Sequence, residues 1–576
     1  DELLRYLPGI EVQMRGPMGA QSDIVLRGGT FQQVLVIVDG LRLNDPNTGH
    51  FTSYIPITPS EIDRIEILKG ASSAIYGSEA VGGVINIITK SFINPNGISK
   101  SEASAQLTAG EYGLWSLNAG GFTTNGTTSI SAGVLSNNTE GQQQRGTKGF
   151  IHTNTASVSI GHTFTPHLNL AVRSSYDDRN FAAQNFYTTF LSDTAREKVK
   201  TWWNQAQLRY VGSKDIIRFS LGYKKVSDNY LYNSALSANN NKSDLLQALV
   251  TDEWKIKANS TLTTGGEFIN KKIVSNDRGN HNVNQAAAFA VLNQQIGESF
   301  FVNPALRLDW NQVSGWELIP QINLSYHTRF IQLRGSAGKT TRDADFTERY
   351  NNYNKSFVSS GSIGNPALHA ERSFSYEAGA DVFPTKQLKF SATFFHRQYT
   401  DLIDFAITPY VDMPRKSNLS PTGTYALAKN ISKVTTSGIE GDVQYSKRFA
   451  GTQQLWATLG FTWLESRSSD AFPSFYISSH AHYLSNFNLQ YSNNRFLLSF
   501  NGLYKNRQSR VSTAPIVKVN PDYFILNGKA EAFLLQKTLS AFVESDNIFN
   551  SHYADLLGSQ MPGRWFMAGI KITLSK

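Results

Sequence analysis

Residues 455–463 read Leu455-Trp456-Ala457-Thr458-Leu459-Gly460-Phe461-Thr462-Trp463. Leu455, Ala457, Leu459, Phe461 and Trp463 fall on one side of an extended chain, and Thr458, Gly460 and Thr462 on the other. A period of two with one apolar and one polar face marks a strand whose two sides meet different surroundings. The same grammar recurs far away in the chain. Ala103, Ala105, Leu107 and Ala109 share a face, as do Leu168, Leu170 and Val172, and Phe566, Ala568, Ile570, Ile572 and Leu574. Each segment runs roughly 9 to 11 residues, the length at which a tilted strand crosses a bilayer around a wet lumen.

The connections alternate in length. Short ones carry turn residues: Asn125-Gly126, Gly212-Ser213-Lys214-Asp215, Pro384-Thr385-Lys386 and Ser492-Asn493-Asn494. Long polar ones lie between, at about 177–200, 228–245, 340–372, 400–430, 466–480 and 505–521. Short turns on one side and long loops on the other are the mark of a transmembrane barrel. About 22 strands begin near 102, 114, 127, 154 and 168, and so on to one near 564. That even number is what a closed antiparallel barrel requires. A propeller or solenoid would repeat a motif at fixed period, and no such repeat is present. The reading is an all-β chain.

Composition agrees. Charged residues are 17% and aromatics 12%, so intrinsic disorder is excluded. There is no cysteine, which removes disulfide scaffolds, thiolate metal sites and thiol nucleophiles. The longest apolar run is Ala286 to Leu292, too short for a spanning helix. The 54 Lys+Arg exceed the 45 Asp+Glu by 9. These cations are scattered rather than clustered, which argues against nucleic acid and suits an anionic outer-membrane lipid surface. No nucleophile elbow, zinc-binding helix or phosphate loop points to an enzyme.

Residues 1–93 have a different grammar. Asp1 to Leu7 reads as helical, ended by Pro8-Gly9. Val34-Leu35-Val36-Ile37-Val38 is a continuous apolar run closed by Asp39-Gly40, a buried strand and a turn. Ile62 to Leu68 alternates, and Val84-Ile85-Asn86-Ile87-Ile88 is another short strand. The expected organisation is a compact α/β domain over 1–93, a linker over 94–101 containing Asn94-Pro95-Asn96-Gly97, and a barrel over 102–576. A barrel of about 22 strands has a lumen wide enough to need a plug.

Several stretches in this order resemble the plug of TonB-dependent outer-membrane receptors. They are Leu4 to Ile10, Val25-Leu26-Arg27-Gly28, Val36 to Gly40, Ile62 to Gly70 and Ser73 to Thr89. In the barrel, Asn365-Pro366-Ala367-Leu368, Tyr376-Glu377-Ala378-Gly379, Gly438-Ile439-Glu440, Asp546 to Asn550 and Pro562-Gly563-Arg564 resemble the same family. The plug is most similar to that of the cobalamin (vitamin B12) receptors, through Ser73 to Thr89 and Val34 to Asn44. The barrel resembles those of Bacteroidota receptors. The resemblance implies import of cobalamin or a related corrinoid across a Gram-negative outer membrane, energised by the TonB-ExbB-ExbD complex, with no resident cofactor. The alternatives are a ferric siderophore or haem as cargo, and, from another class, a passive pore or adhesin. A surface-exposed lipoprotein cap is a further partner the resemblance suggests. In the family a TonB box precedes the plug, and the sequence as read opens at Asp1, inside the plug. The chain ends Leu574-Ser575-Lys576, whereas barrels of this class usually end in an aromatic residue.

The resemblance also nominates residues. Arg27, with either Arg64 or Lys69, would meet Glu377 and Glu440 in a plug–barrel ionic cluster; local salt bridges are the alternative. Plug loops of the Arg42–Phe51 kind form the floor of the ligand site, which nominates Asn44, Asp45, Asn47, Thr48, His50 and Phe51, and likewise Arg15 and Met18 in the first loop. Aromatic loop residues, with Tyr187 and Tyr230 foremost, either stack on a planar ligand or pack the loops and girdle. Asp177 and Asp178, oxygen donors at the top of a strand, are the candidates for calcium, with solvated carboxylates as the plainer reading.

Overall fold

The computed structural model describes residues 2–17, 19–93, 99–144, 146–449, 451–468, 480–507, 510–511, 518–535, 538–556 and 559–576. Most of the expected linker, residues 94–98, lies outside this set.

The N-terminal domain is built on two small sheets. β1 (Ile10–Met14) and β2 (Ser22–Leu26) form an antiparallel hairpin. β3 (Val34–Val38), β4 (Leu41–Arg42), β5 (Ile62–Lys69) and β6 (Gly83–Thr89) form a four-stranded sheet in the order β4-β3-β6-β5. β3 and β6 run parallel, and every residue of β3 is buried. This is why Val34–Val38 is continuously apolar: a central strand covered on both faces has no polar side. The last plug element ends at Phe92, and the first barrel strand starts at Ser99.

From Ser99 the chain winds as a closed barrel of 22 antiparallel strands. The last strand, Trp565–Ser575, pairs with the first, Ser99–Gly110, so no edge is left open. Strands begin at 99, 114, 128, 151 and 168 and continue to 565. The apolar face of residues 455–463 points outward: Leu459 is 52% exposed, whereas Thr458 and Thr462 on the lumen face are 7% and 6%. Leu107, Trp115, Ile160, Phe219, Leu306, Leu318 and Phe500 extend this outward belt around the wall. Such a band would be untenable in water and is what lipid requires. No helix among the described residues is long and apolar enough to cross a membrane.

One expectation is corrected. The strands are not uniformly 9 to 11 residues; they run from 8 (Leu539–Asp546) to 25 (Thr424–Arg448). Leu388–Pro409 and Thr424–Arg448 pair from Leu388↔Tyr445 to Pro409↔Thr424, so much of the loop expected at 400–430 is ladder. Twenty-two residues at ~3.4 Å each cover ~75 Å, whereas a strand tilted ~45° crosses the ~30 Å hydrocarbon core in ~42 Å. The surplus stands above the membrane, because backbone pairing goes on satisfying N–H and C=O groups there. The same holds for 177–182 and 196–200, also read as loop. The expected short turns at 125–126, 212–215, 384–386 and 492–494 all fall at the opposite, periplasmic end.

Candidate functional site at the plug apex and its tethers

The plug fills the lumen and is tied to the wall by buried ions. Arg27 follows β2 in the left-handed region, φ 51°, with Gly28 at φ 65° behind it. This turn throws its guanidinium at the wall, where Nη1 bonds Glu377 and Nη2 lies 3.2 Å from Glu440 Oε2. Lys69, at the end of β5, reaches Glu440 Oε2 at 3.3 Å and donates to the Pro8 carbonyl at 2.8 Å. Arg27 also lies over the Phe395 ring, 5.1 Å from its centroid. Arg64 is not in this group. It sits near the start of β5, half exposed, and pairs with Asp63 and Glu66 on its own strand. Five residues of extended chain separate it from Lys69, so the two side chains cannot meet the same carboxylates.

Other tethers were not foreseen in the sequence. Arg5 Nη2 meets Asp555 Oδ2 at 3.1 Å, and Lys505 Nζ meets Glu11 Oε1 at 2.6 Å and Asp555 Oδ1 at 3.6 Å. The Met14 N–H donates to Asp555 as well. Arg173 pairs with Asp39 at 2.7 Å, and Lys224 with Asp45 at 3.3 Å. Burial would raise the Asp555 carboxyl, but Lys505, Arg5 and Arg507 hold it below the usual range. No local pattern signals these pairs, whose partners are distant in the chain. The signal available was the alternation itself: Arg173, Lys224 and Lys505 are cations on lumen-facing positions of alternating strands.

At the outer end, two plug loops form the apex. Asp23 bridges them: Arg15 Nη2 donates to one oxygen at 2.6 Å, and His50 Nδ1 lies 2.8 Å from the other. His50 stacks on Phe31, centroids 4.0 Å apart, and leans on Tyr187 at 5.4 Å. Tyr187 packs edge-on against Tyr230 at 5.4 Å, and Arg15 lies over the Tyr187 ring. Tyr187 also donates to Glu197 at 3.2 Å. Burial lowers the His50 imidazole, and Asp23 reverses this only in part, so the ring is neutral at pH 7. The apex therefore presents a neutral imidazole among aromatic rings, over an internally neutralised Arg15–Asp23 pair. Phe51 lies beneath, buried and stacked on Tyr54.

Of four nominated ligand residues, Asn44, Asp45 and Thr48 have side chains that are otherwise engaged, whereas Asn47 Oδ1 is buried without a hydrogen-bond partner among the described residues. Asn44 accepts the Val36 N–H and donates to the Val34 carbonyl, both at 2.9 Å, so its amide serves as a strand partner for β3. Asp45 pairs with Lys224, accepts from Ser243 and caps the Asn47 N–H. The Asn47 carbonyl accepts the Thr347 N–H at 3.0 Å and its hydroxyl at 2.6 Å. Thr48 accepts the His50 N–H. All four are buried, and a long loop segment, residues 343–370, is bonded to this plug loop at Pro46, Asn47 and Gly49. Its short helix, Phe346–Tyr350, is capped by Asp345, which also accepts the Gly49 N–H at 3.2 Å. Met18 lies outside the described residues.

The calcium candidates are corrected. Asp177 and Asp178 are neighbours in one strand and point to opposite faces. Asp177 is buried in the lumen and held by Arg179 and Thr155, each at 2.6 Å. Asp178 faces outward and lies 3.7 Å from Lys200. They cannot chelate one ion. Among the described residues no group of three or more His, Asp or Glu is placed to hold a metal.

A cavity of about 40 Å³ remains between the loop helix and the plug, lined by Gln32, Asp45, Lys271, Arg342 and Asp343 among others. Sites for drug-sized ligands take ~300–1,000 Å³. The cavity is too small for a ligand of that size.

Two sequence-family models match. Residues 99–548 match one described as TonB dependent receptor-like, beta-barrel, and residues 1–84 one described as TonB-dependent Receptor Plug Domain. Among solved structures, the siderophore receptor PirA from Pseudomonas aeruginosa superposes with TM-score 0.74 at 17% identity, over 100% of this chain and 95% of that one. A mutant of the ferric enterobactin receptor PfeA from Pseudomonas aeruginosa gives TM-score 0.77 at 16% identity, covering 100% and 95%. The copper transporter OprC gives 0.80 at 15%, covering 100% and 98%. At these identities the likeness is one of fold.

Proposed function

From the premise that this chain belongs to the TonB-dependent receptor family, we propose that it is the importer of a ferric siderophore. As a family member it is an outer-membrane transporter of a Gram-negative bacterium, with a plug domain in a 22-stranded barrel. The observation that carries the cargo is the apex: His50, Tyr187 and Tyr230 form a partly exposed aromatic platform over the buried Phe31, with the Arg15–Asp23 pair behind it. Aromatic groups suit an iron chelate with aromatic arms. The solved relatives PirA and PfeA, named as receptors of siderophores and of ferric enterobactin, support the same class. This moves the leading cargo away from cobalamin. Cobalamin stays as the second reading, on the likeness of Ser73–Thr89 to cobalamin-receptor plugs. Its appeal is weakened because Asn44 and Thr48, two of the amide and hydroxyl partners nominated for a corrinoid, are used inside the protein.

The test is titration of detergent-purified protein with ferric catecholates, ferric hydroxamates, haem, cupric ion and cyanocobalamin. Saturable binding of a ferric chelate supports the proposal. Binding of cyanocobalamin alone restores the second reading.

A further inference from the structure

One ladder of the barrel wall stops short. Strand Gly315–His327 pairs with Ile331–Arg342 only from His327↔Gln332 to Gln321↔Gly338. Above that rung both strands continue. Gly315–Pro320 pair on their far side with Leu306–Asn311, and Lys339–Arg342 on theirs with Glu371–Phe374. The two facing edges lie unpaired over four rungs, ~14 Å. The cause is Pro320. The His327 N–H bonds the Ser299 carbonyl on one side, and the Thr328 N–H bonds the Ile331 carbonyl on the other. Even-numbered residues of this strand therefore turn their backbone toward Ile331–Arg342. Pro320 is one of them and has no N–H to give Lys339. Pro304 also interrupts a ladder, but there pairing resumes at Val302↔Gln294.

The slot lies at membrane depth. Trp316, Leu318, Ile322 and Leu324 face outward along it, and Trp310 pairs with Trp316 at the top of the apolar belt. An open strand edge is untenable against hydrocarbon. Here side chains and the plug close it. Lys339 and Arg372, at outward positions that alternate with buried residues, both bond Glu317 on the lumen side, Lys339 at 2.8 Å. The Thr341 carbonyl takes the N–H of the plug's Glu79 at 3.3 Å. Ionised groups at this depth are costly and mark places of binding or passage. Behind the slot is an apolar seat, Ala74 and Ile75 of the plug against Ala305 and Ile319. At its upper end, Arg342 and Asp343 line the small ionic cavity with Lys271.

We propose that this slot is a lateral gate that admits the alkyl chain of an amphiphilic cargo from the outer leaflet. The chain rests on Ala74, Ile75 and Ile319, and the polar head lies at the Arg342–Asp343 end. An alkyl chain needs no hydrogen-bond partner on its way through, so the slot passes it and holds back headgroups. Glu79 bars the slot from inside, so movement of the plug also frees the gate. The proposal takes from the importer reading only that a cargo reaches the lumen.

The experiment places the receptor in lipid nanodiscs with an alkyl hydroxamate carrying a diazirine at its chain end, as the ferric complex and iron-free. After illumination, peptide mass spectrometry locates the label. It is expected on plug residues 71–79, which a chain outside the wall cannot touch. Pro320→Val restores the N–H and should cut that label about fivefold, the worth of one backbone hydrogen bond. Glu317→Gln removes the charge that holds Lys339 and Arg372 and should raise it about threefold. Pro304→Val is the control and should leave it unchanged. Heat-modifiable migration on a gel verifies folding; if Pro320→Val does not assemble, Glu317→Gln carries the test. Label confined to outward residues such as Trp316 and Leu318, or equal plug label in wild type and the assembled variants, overturns the proposal. Plug label from the iron-free probe that the ferric complex fails to give supports the gate and counts against the ferric cargo.

Discussion

Nη2 of Arg27 and Oε2 of Glu440 lie 3.2 Å apart across the boundary between plug and barrel, and Lys69 reaches the same oxygen at 3.3 Å. One barrel carboxylate thus holds two plug cations. Glu440→Ala leaves Lys69 with the Pro8 carbonyl and Arg27 with Glu377 and the Phe395 ring. Breaking a buried pair from one side costs about 3 kcal/mol. The expected outcome is a barrel that still assembles but releases its plug at lower urea. Ion conductance in a planar bilayer, measured as urea is raised, checks this. An unchanged threshold would count against the tether.

Gly70 stands where that cluster needs space. A Cβ there would lie 2.7 Å from Glu377 Oε2, and the backbone has φ +90°. Gly70→Ala should therefore cost roughly 1–3 kcal/mol through strain and displaced ions. The same urea threshold should fall, while the heat-modifiable gel shift of the barrel persists.

Asp345 makes closure of the outer loop depend on pH. Burial pushes its carboxyl up to about 8, with Glu348 beside it adding to the shift, and the N–H bonds from Glu348 and Gly49 and the charge of Arg342 oppose this. A carboxyl with a raised pKa in the closed state holds its proton more tightly there than when open. Its support for closure is complete below the ordinary aspartate value of ~3.9 and is lost as pH rises towards 8. Hydrogen exchange of residues 345–350, corrected for intrinsic rates, should be more protected at pH 5 than at pH 8.5. Asp345→Asn should flatten the difference.

Tyr187 and His50 meet at the apex. Tyr187→Ala removes the ring that contacts both His50 and Tyr230, and His50→Ala removes the stack on Phe31. Each should weaken binding of the ferric chelate about tenfold, with circular dichroism unchanged. Asn44→Ala should behave differently. It removes two bonds to the β3 backbone, so plug stability falls with little direct effect on ligand contacts.

Much of this architecture is written locally. Period-two alternation marks Leu455–Trp463 as a wall strand, because lipid and lumen select opposite side chains. The continuous run Val34–Val38 marks a strand buried on both sides. Where alternation breaks, as at 400–409, the ladder is hard to read: Asp401 (φ 61°) interrupts the register, and Leu402 and Ile403 are both buried, one against Val81 of the plug and the other against Leu368 and Ala428. The functional residues were legible only in part. Arg27, Lys69, Glu377 and Glu440 were nominated through resemblance. Asp555 and Lys505 could not be, because they meet Arg5 and Glu11 only after the barrel closes. Asn44 looked like a ligand donor because an amide in a polar loop is ambiguous until the backbone it serves is seen. The opposed faces of Asp177 and Asp178 follow from strand geometry alone.

The central claim is that the tethered plug is moved by TonB to admit an iron chelate. Uptake of a radiolabelled ferric siderophore by cells producing the receptor, with and without a functional TonB complex, tests it most directly. The account expects saturable uptake that disappears when TonB is lost, with surface binding retained. Uptake that continues unchanged without TonB would contradict it and make the chain a passive pore.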